Sequence, residues 1–489
     1  MKLHPLSLPY RAVSRGVSVG SSLLFAGLAL GGVVDFLEPL RVALLAVVGL
    51  AVAVAWETAY YRRFAYELTG DSLDIESGVL SRRRREIPLR RVQNVDIRRN
   101  VVQRALGLSS VSLETAGGDQ TEASLRFVAY EEAKRLQREI QRRKRAEAAG
   151  EVEEGDETPS ETVEAEPEEE LYAIRSSELA LLSAISVEPR IVGLAFVVVP
   201  LVTGESSGVD ALVGLTQLAL SALVLWVASA MVTFARYYDF RLTRVGDELR
   251  YERGLLQRYD GTVPLEKVQT VTLRENPLMR LAGYATLAVE TAGYAPGQDG
   301  GGSQAAVPLA ARERVLALAR EVEPFREPTF ERPPKRARRR YAGRYAIVVL
   351  GLTAVAYGVD RFVVGFGPWY APLALLAVAP VAAHYRWKHL GYSTGDDHVV
   401  TRIGFWRRAT TVVPYYRVQT VVQQATVFQR RWRLATVVVD TASSARLAGR
   451  DARAADLDAA TAAQLREFVA GRLQDDLRER RAAERVAEE

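Results

Sequence analysis

The sequence predicts an α+β membrane protein: six transmembrane helices in three pairs, each pair followed by a β-sandwich module that closes on a helix. Three observations lead there. Six strongly apolar runs fall in pairs along the 489 residues. After each pair, one β-patterned stretch is written again with small changes. Each copy then ends in an amphipathic stretch of interleaved acids and bases, the pattern of a surface helix.

The apolar runs come first. Residues 16–56 hold the first pair, "GVSVGSSLLFAGLALGGVVD" (16–35) and "LRVALLAVVGLAVAVAW" (40–56). The second pair lies in 190–234 and the third in 344–387. Each run approaches the roughly 20 residues that cross a bilayer core. The third is the shortest, with 13 apolar residues between Arg190 and Gly204, and the fifth meets Asp360 and Arg361 near its end. Basic residues set the orientation. Lys2, Arg11 and Arg15 precede the first run, Arg62 and Arg63 follow the second, and Arg236 follows the fourth. "KRARRR" (335–340) precedes the fifth, and Arg386 with Lys388 follows the sixth. The linkers inside the pairs, "FLEP" and "GESSGVD", hold no base. The expectation is a multi-pass protein of the cell membrane with both termini and all large polar segments in the cytoplasm.

The modules occupy residues 60–146, 236–325 and 388–485. Adding 176 to a position in the first copy gives the second, and adding 150 more gives the third. Gly78, Gly254 and Gly404 then correspond, as do Pro88, Pro264 and Pro414, and Gln93, Gln269 and Gln419. Arg104, Arg280 and Arg430 also match, and each copy closes on an acid before Thr-Ala: Glu114, Glu290 and Asp440. Alternating stretches such as "SVSLETAGG", "TLAVETAGY" and "TVVVDTASS" read as strands. "VVQRALG" and "PLMRLAG" read as single helical turns ended by Gly. Helices are expected at 127–146, 308–322 and 459–485. Six or seven short strands with one C-terminal helix is the outline of a pleckstrin-homology (PH) sandwich.

With its three "[IV]-P-x-x-x-V-Q-x-V" stretches and the downstream "x-R-x-x-G" and "[ED]-T-A" signatures, the chain resembles the membrane-flanked PH-like domains of bacteria and archaea. Copy three departs from the pattern, with Arg433 where the others have Gly107 and Gly283. The resemblance implies PH-like sandwiches that bind lipid headgroups, peptides or other domains. A role in envelope maintenance or stress resistance is also an implication of the resemblance, not of the residues.

The repeated residues read first as architecture. The proline suits the start of a helical turn, where its missing N–H is no loss. The Gln amide can tie that turn to backbone groups. The arginine and the acid, ten residues apart in every copy, suggest a charge pair across the sandwich edge. The run "SRRRRE" is different in kind: Arg82, Arg83, Arg84 and Arg85 are the candidate contact for anionic lipid. The acidic segment within 147–176, with eleven acids and no base over 151–170, is expected to be a disordered cytoplasmic linker.

Composition removes several chemistries. There is no Cys, so disulfides and thiolate sites are excluded, and four His (His4, His384, His389, His398) make a histidine metal cluster improbable. No catalytic, cofactor-binding or metal-binding residue is assigned, and neither nucleophile motif nor phosphate loop occurs. The basic residues are tied to membrane edges rather than to one groove-sized face, which argues against nucleic acid. Expected partners are membrane lipids, anionic in kind, with a protein partner or self-association through the modules. The leading expectation is therefore a membrane scaffold that is not an enzyme. The alternative is a six-span transporter or channel with regulatory cytoplasmic domains, for which Gln217 and Asp360 would have to share a cavity.

Overall fold

A computed structural model describes residues 4–7, 9, 11, 39–115, 123–148, 168–186, 211–291, 304–362, 369–442 and 452–488. The first and third apolar runs, most of the acidic segment and "GQDGGGS" (297–303) lie outside the described residues.

Helix α1 (Pro39–Arg63) leads into module one: β1 (Ala65–Leu68), β2 (Ser72–Ser77), β3 (Arg83–Pro88), β4 (Val92–Asn100), α2 (Val101–Ala105), β5 (Leu108–Thr115), β6 (Ala123–Ala129) and α3 (Tyr130–Ala148). Strand β7 (Glu169–Ala173), α4 (Ser176–Ile185) and α5 (Ala211–Tyr237) come next. Module two follows as β8 (Arg241–Val245), β9 (Glu248–Arg253), β10 (Gln257–Pro264), β11 (Val268–Glu275), α6 (Pro277–Ala282), β12 (Tyr284–Thr291), β13 (Gln304–Ala311) and α7 (Arg312–Val322). Helices α8 (Arg336–Phe362) and α9 (Ala379–Lys388) precede module three. That module is β14 (Gly391–Thr394), β15 (His398–Ile403), β16 (Arg408–Pro414), β17 (Val418–Gln424), α10 (Val427–Arg431), β18 (Leu434–Thr441), β19 (Ala452–Asp458) and α11 (Ala459–Glu488). Among the described residues, every copy thus has six strands, a short helix after the fourth and a longer helix after the sixth.

The chain forms two compact units: residues 1–166 with 250–262, and residues 167–249 with 263–489. In the first, β1, β2 and β3 make one antiparallel sheet, while β4, β5 and β6 make the second. The alternation in "SLDIES" sends Leu73 and Ile75 inward, and they meet Ile87, Val95, Ile97, Val111, Leu113 and Leu125 in one core. Helix α3 closes it with Ala133, Leu136 and Ile140. In the second unit, β14, β15 and β16 pair in order, as do β17, β18 and β19. Val399, Val413, Val437 and Val439 fill that core, and Leu465 and Val469 of α11 cover it.

Two local devices recur. Gly78, Gly254 and Gly404 have φ of +116°, +109° and +86°, and a Cβ there would lie within 2.2 Å of the carbonyl oxygen three residues on. Only glycine closes that hairpin. The turn after the fourth strand is capped by Asn100, Asn276 and Thr426, whose side chains accept from the amides of Gln103, Met279 and Gln429. Arg433 does not break the third copy: it takes the same left-handed conformation, φ 52°, as Gly107 and Gly283.

Several expectations are corrected. Strand β13 fills the first part of 308–322, so α7 begins only at Arg312, because "QAAVPLAA" pairs with β12. The segment 147–176 is not all unstructured: α3 runs to Ala148, β7 pairs with β8, and α4 starts at Ser176. The basic run "KRARRR" lies largely inside α8. The sixth apolar run is a 3-10 segment (Ala371–Ala377) followed by α9, the prolines at 372 and 380 punctuating it. Pro88, Pro264 and Pro414 close their strands and stand just before the one-turn 3-10 helix, rather than inside it.

Candidate functional site

Two kinds of surface carry the repeated residues: the tip of each β2–β3-type hairpin, and the strand edges where neighbouring modules join. The tips are Gly78–Ser81, Gly254–Gln257 and Gly404–Arg407. Each lifts one large apolar side chain into solvent at the same position: Leu80 at 86% exposure, Leu256 at 60% and Trp406 at 74%. The helix after the fourth strand adds exposed Val101 and Val102, Leu278 and Leu281, and Val427 and Phe428. Isolated exposed apolar residues need no explanation, but the same position in three copies does.

Two of these tips touch the ends of helices. Arg63, the last residue of α1, donates to the Val79 carbonyl. Phe405 packs its ring on Tyr385 of α9 and on His389, at centroid distances of 5.2 and 5.3 Å. Burial, then the charges of Arg280, Arg408, Arg402 and Lys388, push the His389 imidazole down to about 4. The candidate lipid-binding arginines stand on the module-one hairpin, and Arg82, Arg83, Arg84 and Arg85 are all exposed. Arg84 leans on Asp74 at 3.3 Å and on Glu76 at 3.9 Å, contacts weakened by its own 71% exposure.

The joints explain the repeated arginine. In the first unit β10 pairs with β4, Arg258 facing Arg99. In the second, β16 pairs with β11, Arg408 facing Glu275. The offsets of 176 and 150 turn Arg99 into Glu275 and Arg258 into Arg408, so both joints keep one register. Arg104 donates to the Leu255 carbonyl at 2.7 Å, and Arg280 donates to the equivalent Phe405 carbonyl at 2.8 Å. Arg280 also lies over the Phe405 ring. The repeated arginine therefore clasps the hairpin of the next module.

That overturns the arginine–acid pair expected from spacing in the second copy. Glu290 instead meets Arg274 at 3.6 Å and accepts from Thr270 at 3.1 Å. The side chains of Glu114 and Gln93 lie outside the described residues. Gln269 is buried and donates to the Lys267 carbonyl at 3.3 Å, a local tie of the turn, whereas Gln419 is exposed. Asp440 is nearly buried. Arg430 is exposed, and its side chain has no hydrogen-bond partner among the described residues.

Sequence reasoning missed two polar joints. Glu275, 3% exposed, accepts two hydrogen bonds from Arg408 at 2.9 and 2.6 Å. Asp456, 1% exposed, takes Arg340 at 2.5 Å and Gln429 at 2.8 Å, and also accepts from Tyr341, fastening α8 to module three. An isolated acid in a strand gave no signal for either. Lys134 and Asp260 similarly pair across the first joint. Among the described residues no group of His, Cys, Asp and Glu could hold a metal ion.

The model of the bacterial PH domain matches residues 23–144, 193–326 and 345–473, one match per module with the apolar runs before it. The chain belongs to the bacterial PH domain family. Its three PH domains share the hairpin and the capped turn described above, and the first two share the clasping arginine. A relative in Bacillus subtilis (strain 168), named "UPF0699 transmembrane protein YdbT", is 25% identical over 435 residues, 82% of this chain and 85% of the relative. No solved structure matches the chain. Among the described residues, two helices are long and apolar enough to cross a membrane, within Leu220–Tyr237 and Arg336–Phe362.

Proposed function

We propose that the protein is a six-span membrane scaffold with cytoplasmic termini, whose three PH domains lie on the inner leaflet and hold anionic lipid. The observation that carries the reading is the module-one hairpin. Its four consecutive arginines are exposed, and its tip is bonded to Arg63 at the end of an apolar helix. A cluster so placed gains about 1 kcal/mol per arginine from an anionic surface. Leu80, Leu256 and Trp406 suit insertion at the headgroup level, where Trp in particular concentrates. The name of the Bacillus relative supports a membrane setting. The mechanism is binding rather than turnover, with tips and arginines holding each domain flat on the bilayer.

The test is purification of the full chain in mild detergent, with bound lipids identified. Wild type is compared with a variant carrying Arg82→Ser, Arg83→Ser, Arg84→Ser and Arg85→Ser. Anionic lipid should be enriched about tenfold or more over zwitterionic lipid on the wild type and fall to the bulk ratio in the variant. Equal lipid content in both sinks the reading.

A further inference from the structure

The joints leave two strand edges over. Inside the chain, the fourth strand of one module receives the third strand of the next: β4 with β10, then β11 with β16. Among the described residues, the third strand of module one, β3, and the fourth strand of module three, β17, are left at sheet edges. Both are exposed where their counterparts are covered. In β11 every residue but Arg274 is buried; in β17, Gln419, Thr420, Val422 and Gln424 are exposed, while Val421 packs on the core with Leu473. In β16 the last four residues are buried; in β3 the first four are exposed. We infer that β17 of one copy receives β3 of a second copy, head to tail, in the register of the internal joints.

Three further observations specify this occupant. The register is already set by the repeat: the internal offsets place Val422 opposite Arg85 and Gln424 opposite Arg83 of the second copy. Charge fits as well. Strands β4 and β11 carry Arg98, Arg99 and Arg274, whereas β17, "VQTVVQQ", carries no base. It is thus the one fourth strand that meets the four-arginine hairpin without like-charge repulsion, while those arginines discourage pairing with a basic edge. Arg430 supplies the third observation. Arg104 and Arg280 each clasp the carbonyl of the next hairpin; the spared Arg430 is aligned with them, and its target under the same offsets is the Val79 carbonyl of the second copy. That oxygen already accepts from Arg63 and has a second lone pair.

Edge pairing uses backbone groups and leaves arginine side chains on both faces of β3, so it goes beyond the lipid reading without competing with it. A head-to-tail joint is heterologous, and it repeats until the rotation closes a ring or the array runs on.

The chain has no cysteine, which makes the test clean. Val422→Cys and Arg85→Cys are introduced into separately tagged full-length copies, coexpressed, and oxidised in native membranes. A disulfide between the two tags is expected, about tenfold above a Gln423→Cys copy paired with Arg85→Cys, whose side chains leave opposite faces. Adding Arg430→Ala should lower the yield about tenfold, the worth of one charge-assisted bond. The inference is overturned by equal yields in and out of register, by no cross-link, or by Val422→Cys linking to itself, which would mean a symmetric pair or another occupant. The lipid experiment reads a different variant and a different signal, so either can fail alone.

Discussion

Strands β11 and β17 open on the same four residues, Val-Gln-Thr-Val, and occupy the same place in their modules. One is buried almost throughout; the other is largely exposed. Gln269 is 5% exposed and bonded to its own turn, while Gln419 faces solvent. The difference lies in the neighbour: β11 has β16 beside it and β17 sits at an edge. In an array of like modules, burial of an edge residue reports position in the array more than residue type. The remaining residues of each strand follow suit. β11 ends on Arg274 and Glu275, the latter locked to Arg408, whereas β17 ends on two glutamines and the next residue is Ala425.

The comparison breaks most visibly at Glu275. Glu275→Ala leaves the Arg408 guanidinium, 16% exposed, without its carboxylate and should destabilise the second unit by about 3–5 kcal/mol. Ala425→Glu, the mirror change on the exposed edge, should stay within about 0.5 kcal/mol. Thermal unfolding of the detergent-solubilised chain reads both, and equal effects would erase the distinction between closed and open edges. Next in size is the clasp. Arg280→Ala should lose roughly 1.5–3 kcal/mol, the worth of a charged hydrogen bond, while Arg430→Ala should leave the unfolding of the dissociated chain unchanged. If both cost the same, Arg430 has a partner the described residues do not show.

The smallest effect is acid sensitivity, and it belongs to the closed joint. His389 is held down to about 4 by burial and by Arg280, Arg408, Arg402 and Lys388, from an ordinary value of 6.5. The folded chain then binds this proton less readily than the unfolded one, so stability falls as pH drops from about 6.5 toward 4. His389→Asn should remove that part of the slope, measured as the difference in melting temperature between pH 7 and pH 5. An unchanged slope would assign the acid sensitivity elsewhere.

What the sequence made legible was whatever repeats within a module. The repeated glycines, the helical turn ended by Gly and the alternating strands all act locally, so spacing and residue type announce them. The joints were not legible. A strand edge pairs through backbone groups, and the clasping arginine binds a carbonyl, which every residue offers; neither demands a matching side chain elsewhere. Spacing alone points the arginine to the nearest repeated acid, ten residues on, whereas in the second copy that acid serves Arg274. Glu275 and Asp456 were invisible for a related reason: each occurs in one copy alone, where no alignment could mark it.

The shared register of the two joints also bears on how such a chain grows. Because each module presents the same donor edge and the same acceptor edge, the boundary between modules behaves as a splice point. A tandem duplication that adds one module, with its preceding helices, meets a compatible edge on both sides, and a deletion heals in the same way.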